Sequence, residues 1–121
     1  MIRLRETIEV ARPIDEVFSY VSNFGNAVQW DPGVAESRKA SAGPIGVGTA
    51  FKLQVRFGPR SIPMEYAIRE FDRPRRVLLE GKSDSVHALD DIGFAATPRG
   101  TRITYTADIS LLGALSIAEP L

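Results

Sequence analysis

With 121 residues, 44% of them hydrophobic and 25% charged, the chain has the makings of one globular domain with a substantial core. Lysine plus arginine and aspartate plus glutamate number 15 each, so no surplus of positive charge is available for the basic face of a nucleic-acid binder. Cysteine is absent, which excludes disulfides, zinc–thiolate sites and a thiol nucleophile.

No stretch approaches the roughly 18 consecutive apolar residues of a membrane span, and the charged start is unlike a signal peptide. A cytoplasmic location is expected. In chain order, IRLRETIEVA (2–11) alternates: Ile2, Leu4, Ile8 and Val10 share one face, Arg3, Arg5, Thr7 and Glu9 the other, as in a half-buried strand. Glu6 is the exception, since it falls on the apolar face. Pro13 suits the first turn of a helix, with Asp15 and Glu16 near its positive end. Ile14, Val17, Phe18 and Val21 recur at helical spacing, and Asn23 and Gly25 end the segment. Phe24 to Trp30 reads as a second short helix, closed by Asp31-Pro32-Gly33.

From there the chain reads as all-β, with strands near 34–40, 49–57, 61–71, 75–82, 85–96 and 101–110. Phe51, Leu53, Val55 and Phe57 alternate with Lys52, Gln54 and Arg56 in the clearest of them. Gly43-Pro44 with Gly46 and Gly48, then Gly58-Pro59, Asp72-Arg73-Pro74 and Pro98-Arg99-Gly100 supply the turns. Short connections between long alternating strands favour an antiparallel meander. The tail LLGALSIAEPL turns apolar and reads as the first turns of a closing helix. The glycine-rich GPIGVGT (43–49) lacks the Gly-Lys-Ser/Thr ending of a phosphate loop and sits between strands, so it reads as a hairpin loop.

This order, with IEVARPIDEVFSYVSNFGNAVQWDPGV, GPIGVGTAF, MEYAIREFDRPRRVLLEG and GTRITYTADI, resembles the START/Bet v 1-like (SRPBCC) superfamily, and within it the bacterial polyketide cyclase/dehydrase group. The resemblance spans about residues 2 to 110, and residues 1–121 are expected to form a single such domain. It implies an α+β helix-grip fold: a curved seven-stranded antiparallel sheet, two short helices after strand 1, and a C-terminal helix. Here that helix would be short or incomplete, because a 30 Å helix needs about 20 residues. An uncovered apolar sheet face leads to an expectation of self-association, through that face or the C-terminal segment.

The resemblance further implies a cavity for a small hydrophobic molecule such as a lipid or polyketide; no cofactor and no metal are expected. Candidate lining residues are Trp30, Phe51, Leu53, Val55, Phe57, Met64, Tyr66, Ile68, Leu79, Phe94 and Tyr105. A plain sheet core is the competing reading for all of them, and for Trp30 a core anchor between helix and sheet. Candidate acid/base groups are Glu6 and Asp90, with Tyr66 and Tyr105 as partners of a ligand carbonyl. Strand parity turns Asp90 inward with Ile92 and Phe94, and turns the lone histidine, His87, outward with Asp91. No second histidine is available for a metal site, and His87 with Asp90 and Asp91 close behind makes only a weak acid/base constellation. Ligand binding and a cyclase/dehydratase activity both remain open, as does recruitment of a partner chain.

Overall fold

A computed structural model of the protein describes residues 1–112. The expected closing helix falls mainly on residues 113–121, outside the described residues; Leu111 itself ends a strand. The elements run β1 (Ile2–Val10), α1 (Ile14–Ser22), a 3-10 turn (Phe24–Asn26) into the one-turn α2 (Ala27–Trp30), then β2 (Val34–Lys39), β3 (Ala50–Phe57), β4 (Arg60–Asp72), β5 (Arg76–Lys82), β6 (Val86–Thr97) and β7 (Gly100–Leu111). All seven strands form one antiparallel sheet in the order β1-β7-β6-β5-β4-β3-β2. The sheet is curled, as in the helix-grip architecture.

Local chemistry explains the boundaries. Pro13, extended at φ −61°, leads into α1, whose first turn carries Asp15 and Glu16. The helix buries Val17, Phe18 and Val21 on one stripe. Asn23 then accepts a hydrogen bond from the Gly25 backbone N–H, which starts the 3-10 turn. Register shifts between Val34 and Glu36, and between Ile68 and Glu70, interrupt the β2 and β4 ladders, the kind of irregularity that locally bends and twists a strand.

The core lies between the two helices and β3–β6. The Phe18 ring meets Phe71 and Phe94 edge-on at 5.2 and 5.1 Å, and the Phe24 ring meets Tyr66 at 5.2 Å and Phe51 at 6.2 Å. Beyond β7 the helices do not reach. Leu4 and Ile8 on the inner face of β1 are 55% and 54% exposed, and Ile2 is exposed with them. Glu6 keeps the inward parity read from the sequence, opposite Tyr105, but it too is exposed. Inward parity does not bury it, because among the described residues no helix packs over this edge strand.

The outer face carries ion pairs. Arg76 joins Glu70 and Asp91, Arg69 joins Glu80, Arg3 joins Asp108, and Arg102 joins Glu9. These are solvated pairs that contribute little stability each.

Two glycines are dictated by their neighbours. A Cβ on Gly100, at φ +152°, would lie 2.1 Å from the Val10 carbonyl oxygen. A Cβ on Gly81 would lie 2.5 Å from Cε2 and Cζ of Tyr66, its directly opposed partner on β4. The Tyr66 ring thus occupies the space that a side chain at position 81 would need, a close approach that a strand glycine permits. Gly81→Ala is expected to cost about 1–3 kcal/mol in urea denaturation, as overpacking does, and Tyr66→Ala in the same chain should recover part of that loss.

Candidate functional site

Strand register gathers the site. Asp90 on β6 is flanked by Leu79 on β5 and Ala107 on β7, with Tyr105 two residues before Ala107 on the same face. Tyr66 lies on the same inner face, two strands away on β4, opposite Gly81. Above them stand the helices: Trp30, the last residue of α2, meets both Phe24 and Tyr105 at ring separations of 5.8 Å. Trp30 is therefore at once the tie between α2 and the sheet and the neighbour of the site tyrosine. Its indole Nε1–H is buried and has no hydrogen-bond partner among the described residues.

The centre of the arrangement is the Asp90 carboxyl. Asp90 is 3% exposed. The Tyr105 hydroxyl donates to its Oδ2, and Oδ1 accepts no hydrogen bond from the described residues. Burial raises its pKa to about 7; the Tyr105 hydrogen bond pulls the other way, and the nearby Asp31 charge adds to the rise. The same surroundings push both tyrosines up, mainly through burial and next through the Asp90 charge. Tyr66 has only a long contact to the Met64 sulfur, 4.0 Å from its hydroxyl. The inner face thus holds a carboxyl that exchanges its proton near neutrality beside phenols that keep theirs.

Of the other candidates, Phe51, Leu53, Met64, Ile68, Leu79 and Phe94 are buried in the core, and Val55 and Phe57 are packed at its margin. Glu6 stands apart on the exposed edge. His87 lies on the outer face, where Nε2 meets Glu80 Oε2 at 2.8 Å, while Asp91 is taken by Arg76 at 2.9 Å. Those two residues do not form a pair. Among the described residues no cluster of three or more His, Asp or Glu side chains could hold a metal ion.

Three contributors escape a reading by strand alternation. Phe24 links Trp30, Phe51 and Tyr66, but it lies in a 3-10 turn too short to show a period. Asp31 reads as a turn residue, and its Oδ1 does accept from the Gly33 N–H, yet its charge reaches the inner face. Gly81 was the one with a signal: an isolated glycine inside the alternating RVLLEGK.

The pKa gives a pH signature. A carboxyl raised from 3.8 to about 7 by folding stabilises the native state fully only below its unfolded pKa. That contribution falls as pH rises through about 7, and is constant above. Urea denaturation from pH 4 to pH 8 should show a loss of up to about 4 kcal/mol from this group, and Asp90→Asn should remove that part of the slope.

The known proteins that this chain resembles agree on the fold. A START superfamily protein from Mycobacterium smegmatis superimposes with a TM-score of 0.75 at 16% identity, over 93% of this chain and 79% of that one. The Zhui aromatase/cyclase from Streptomyces sp. R1128 gives 0.75 at 15% identity, over 93% and 70%. Ara h 8.0201 gives 0.66 at 14% identity, over 99% and 81%. Among curated proteins none matches. Among the described residues no helix is long and apolar enough to cross a membrane. The model of one family matches residues 1–120, and the chain therefore belongs to the polyketide cyclase/dehydrase and lipid transport family.

Proposed function

We propose that the inner face of the sheet binds a small hydrophobic molecule, a lipid, a polyketide or a similar compound, whose polar group sits at Asp90 and Tyr105. The observation that carries this reading is the half-used Asp90 carboxyl: 3% exposed, on a largely apolar wall, with one oxygen bound and the other unpaired among the described residues. A buried carboxyl costs free energy unless something compensates it, and a ligand group at Oδ1 would do so. Apolar walls with a few convergent polar groups are what ligand sites require. Family membership supports the same class of ligand.

A second reading, a cyclase/dehydratase activity, is favoured by one further feature. A carboxyl with a pKa of about 7 can both take and return a proton at neutral pH. In such a reaction Asp90 would remove a proton next to a ligand carbonyl, and Tyr66, whose hydroxyl has only the sulfur contact, would donate to the carbonyl oxygen. The Zhui aromatase/cyclase shares this fold at 15% identity, which supports the architecture and leaves the chemistry to experiment.

Trp30 is the only tryptophan, so its emission reports on the site. Titration with 1-naphthylmethanol, a neutral probe, should shift that emission saturably. Tyr105→Phe removes the hydrogen bond that orients the carboxyl and should weaken the probe by about three- to tenfold, the range of one hydrogen bond. An emission that does not saturate, or a Tyr105→Phe protein that binds as well as the original, would count against the site.

A further inference from the structure

We infer that the polar group received by this site is a cationic amine, held by an N–H bond to Asp90 Oδ1 with its hydrocarbon body along the apolar inner face. The inference rests on the binding reading above and narrows it from hydrophobic molecules in general to hydrophobic ammonium compounds.

Around Asp90 the described charges have one sign, while the inner-face cation Lys39 stands on the far edge strand β2. Register places Glu6 of β1 and Asp90 of β6 on that face, and the charge of Asp31, at the end of α2, acts on Asp90, Tyr66 and Tyr105. The described bases Lys39, Arg73 and Arg56 have partners of their own, Arg56 at the carbonyls of Pro32 and Val34. Lys39, opposite Phe51 on the edge strand β2, gives its Nζ to the carbonyls of Ser41 and Gly43 at 2.6 Å each. Arg73 lies over the Phe18 ring at 4.9 Å and donates to Ser19 Oγ at 3.0 Å. Facing Asp90 itself are Leu79 and Ala107 from the adjacent strands, and the titratable groups around it are Tyr105, Tyr66 and Asp31. No cation stands among them.

Each ligand charge has a different consequence here. An anion would add to the repulsion among acids. A neutral donor would occupy Oδ1 but leave the charge of an ionised, largely buried Asp90 uncompensated. An ammonium supplies the opposite charge and N–H donors together, and a charged hydrogen bond is the stronger kind. Aromatic rings suit the same guest, because their π faces attract cations, and Tyr66, Tyr105, Trp30 and Phe24 are the rings at hand. The proton balance is simple: the ammonium keeps its proton, and neutral Asp90 releases one to solvent as the pair forms. Amine affinity therefore rises with pH across the titration of Asp90.

The test uses three probes of one size, each added to the intact protein: 1-naphthylmethylamine, 1-naphthylmethanol and 1-naphthoate, followed by calorimetry and by Trp30 emission. At pH 8 the amine should bind about tenfold tighter than the alcohol, as expected for a charged over a neutral hydrogen bond, and the naphthoate most weakly. The preference should shrink at pH 5.5. It should collapse in Asp90→Asn and persist in Glu6→Gln, which changes an exposed acid on the same face. An alcohol that binds as tightly as the amine at pH 8, a preference that survives Asp90→Asn, or one lost in Glu6→Gln, overturns the inference while leaving the binding site in place. Saturable binding by none of the three overturns both.

Discussion

Everything at this site follows from the parity of β6. Its inward residues are Val86, Ala88, Asp90, Ile92 and Phe94, and the five of them are buried. Four are apolar and anchor the strand to the core. Asp90 cannot turn outward without taking the other four with it, since a one-residue slip would reverse the whole strand. The pairing with β5 and β7 on both sides fixes that register over the length of the strand. The fold therefore holds a carboxyl in a place where water would not leave it, and the stability of the hydrophobic core maintains it there.

The rest of the arrangement accommodates that constraint. Tyr105 comes from the neighbouring strand to bond Oδ2, and Trp30 abuts Tyr105 from the helical side. Phe24 joins Trp30 to the rings of β3 and β4. Gly81 lets Tyr66 settle onto the β5 backbone. On the far side of the sheet the charges are arranged differently. There arginines meet carboxylates in open solvent, and a wide groove beside Arg38, Lys52 and Lys82 holds as many acids, Glu36, Glu65 and Asp84. That groove balances its charges and gathers no buried polar group. The inner face holds the buried Asp90 carboxyl and its Tyr105 partner, and this asymmetry supports it as the proposed working surface.

Much of this was legible in the sequence. Period-2 alternation located the seven strands to within a few residues, because each strand has one face in the core, and Asp90 could be placed inward from Ile92 and Phe94 alone. The same parity put His87 outside. Glu6 shows the limit of parity: it points inward as its phase indicates and is exposed, since alternation reports which way a side chain points and burial also needs something above it. What alternation could not show is proximity across strands. That Tyr105 would bond Asp90, or that Tyr66 would lie on Gly81, depends on the strand order and register, which local patterns do not encode. The Trp30–Asp31 turn shows the same limit, since a helix end and an Asx turn look alike whether or not they overhang a carboxyl.

The central claim, that ligand enters the inner face at Asp90, is tested most directly by chemical-shift mapping. Labelled protein titrated with 1-naphthylmethanol should show perturbations at the Trp30 indole N–H and the backbone amides around Tyr66, Asp90 and Tyr105. The outer residues of the groove, Arg38, Lys52 and Lys82, should not move. Shifts that cluster on that groove and spare Asp90 would contradict the account.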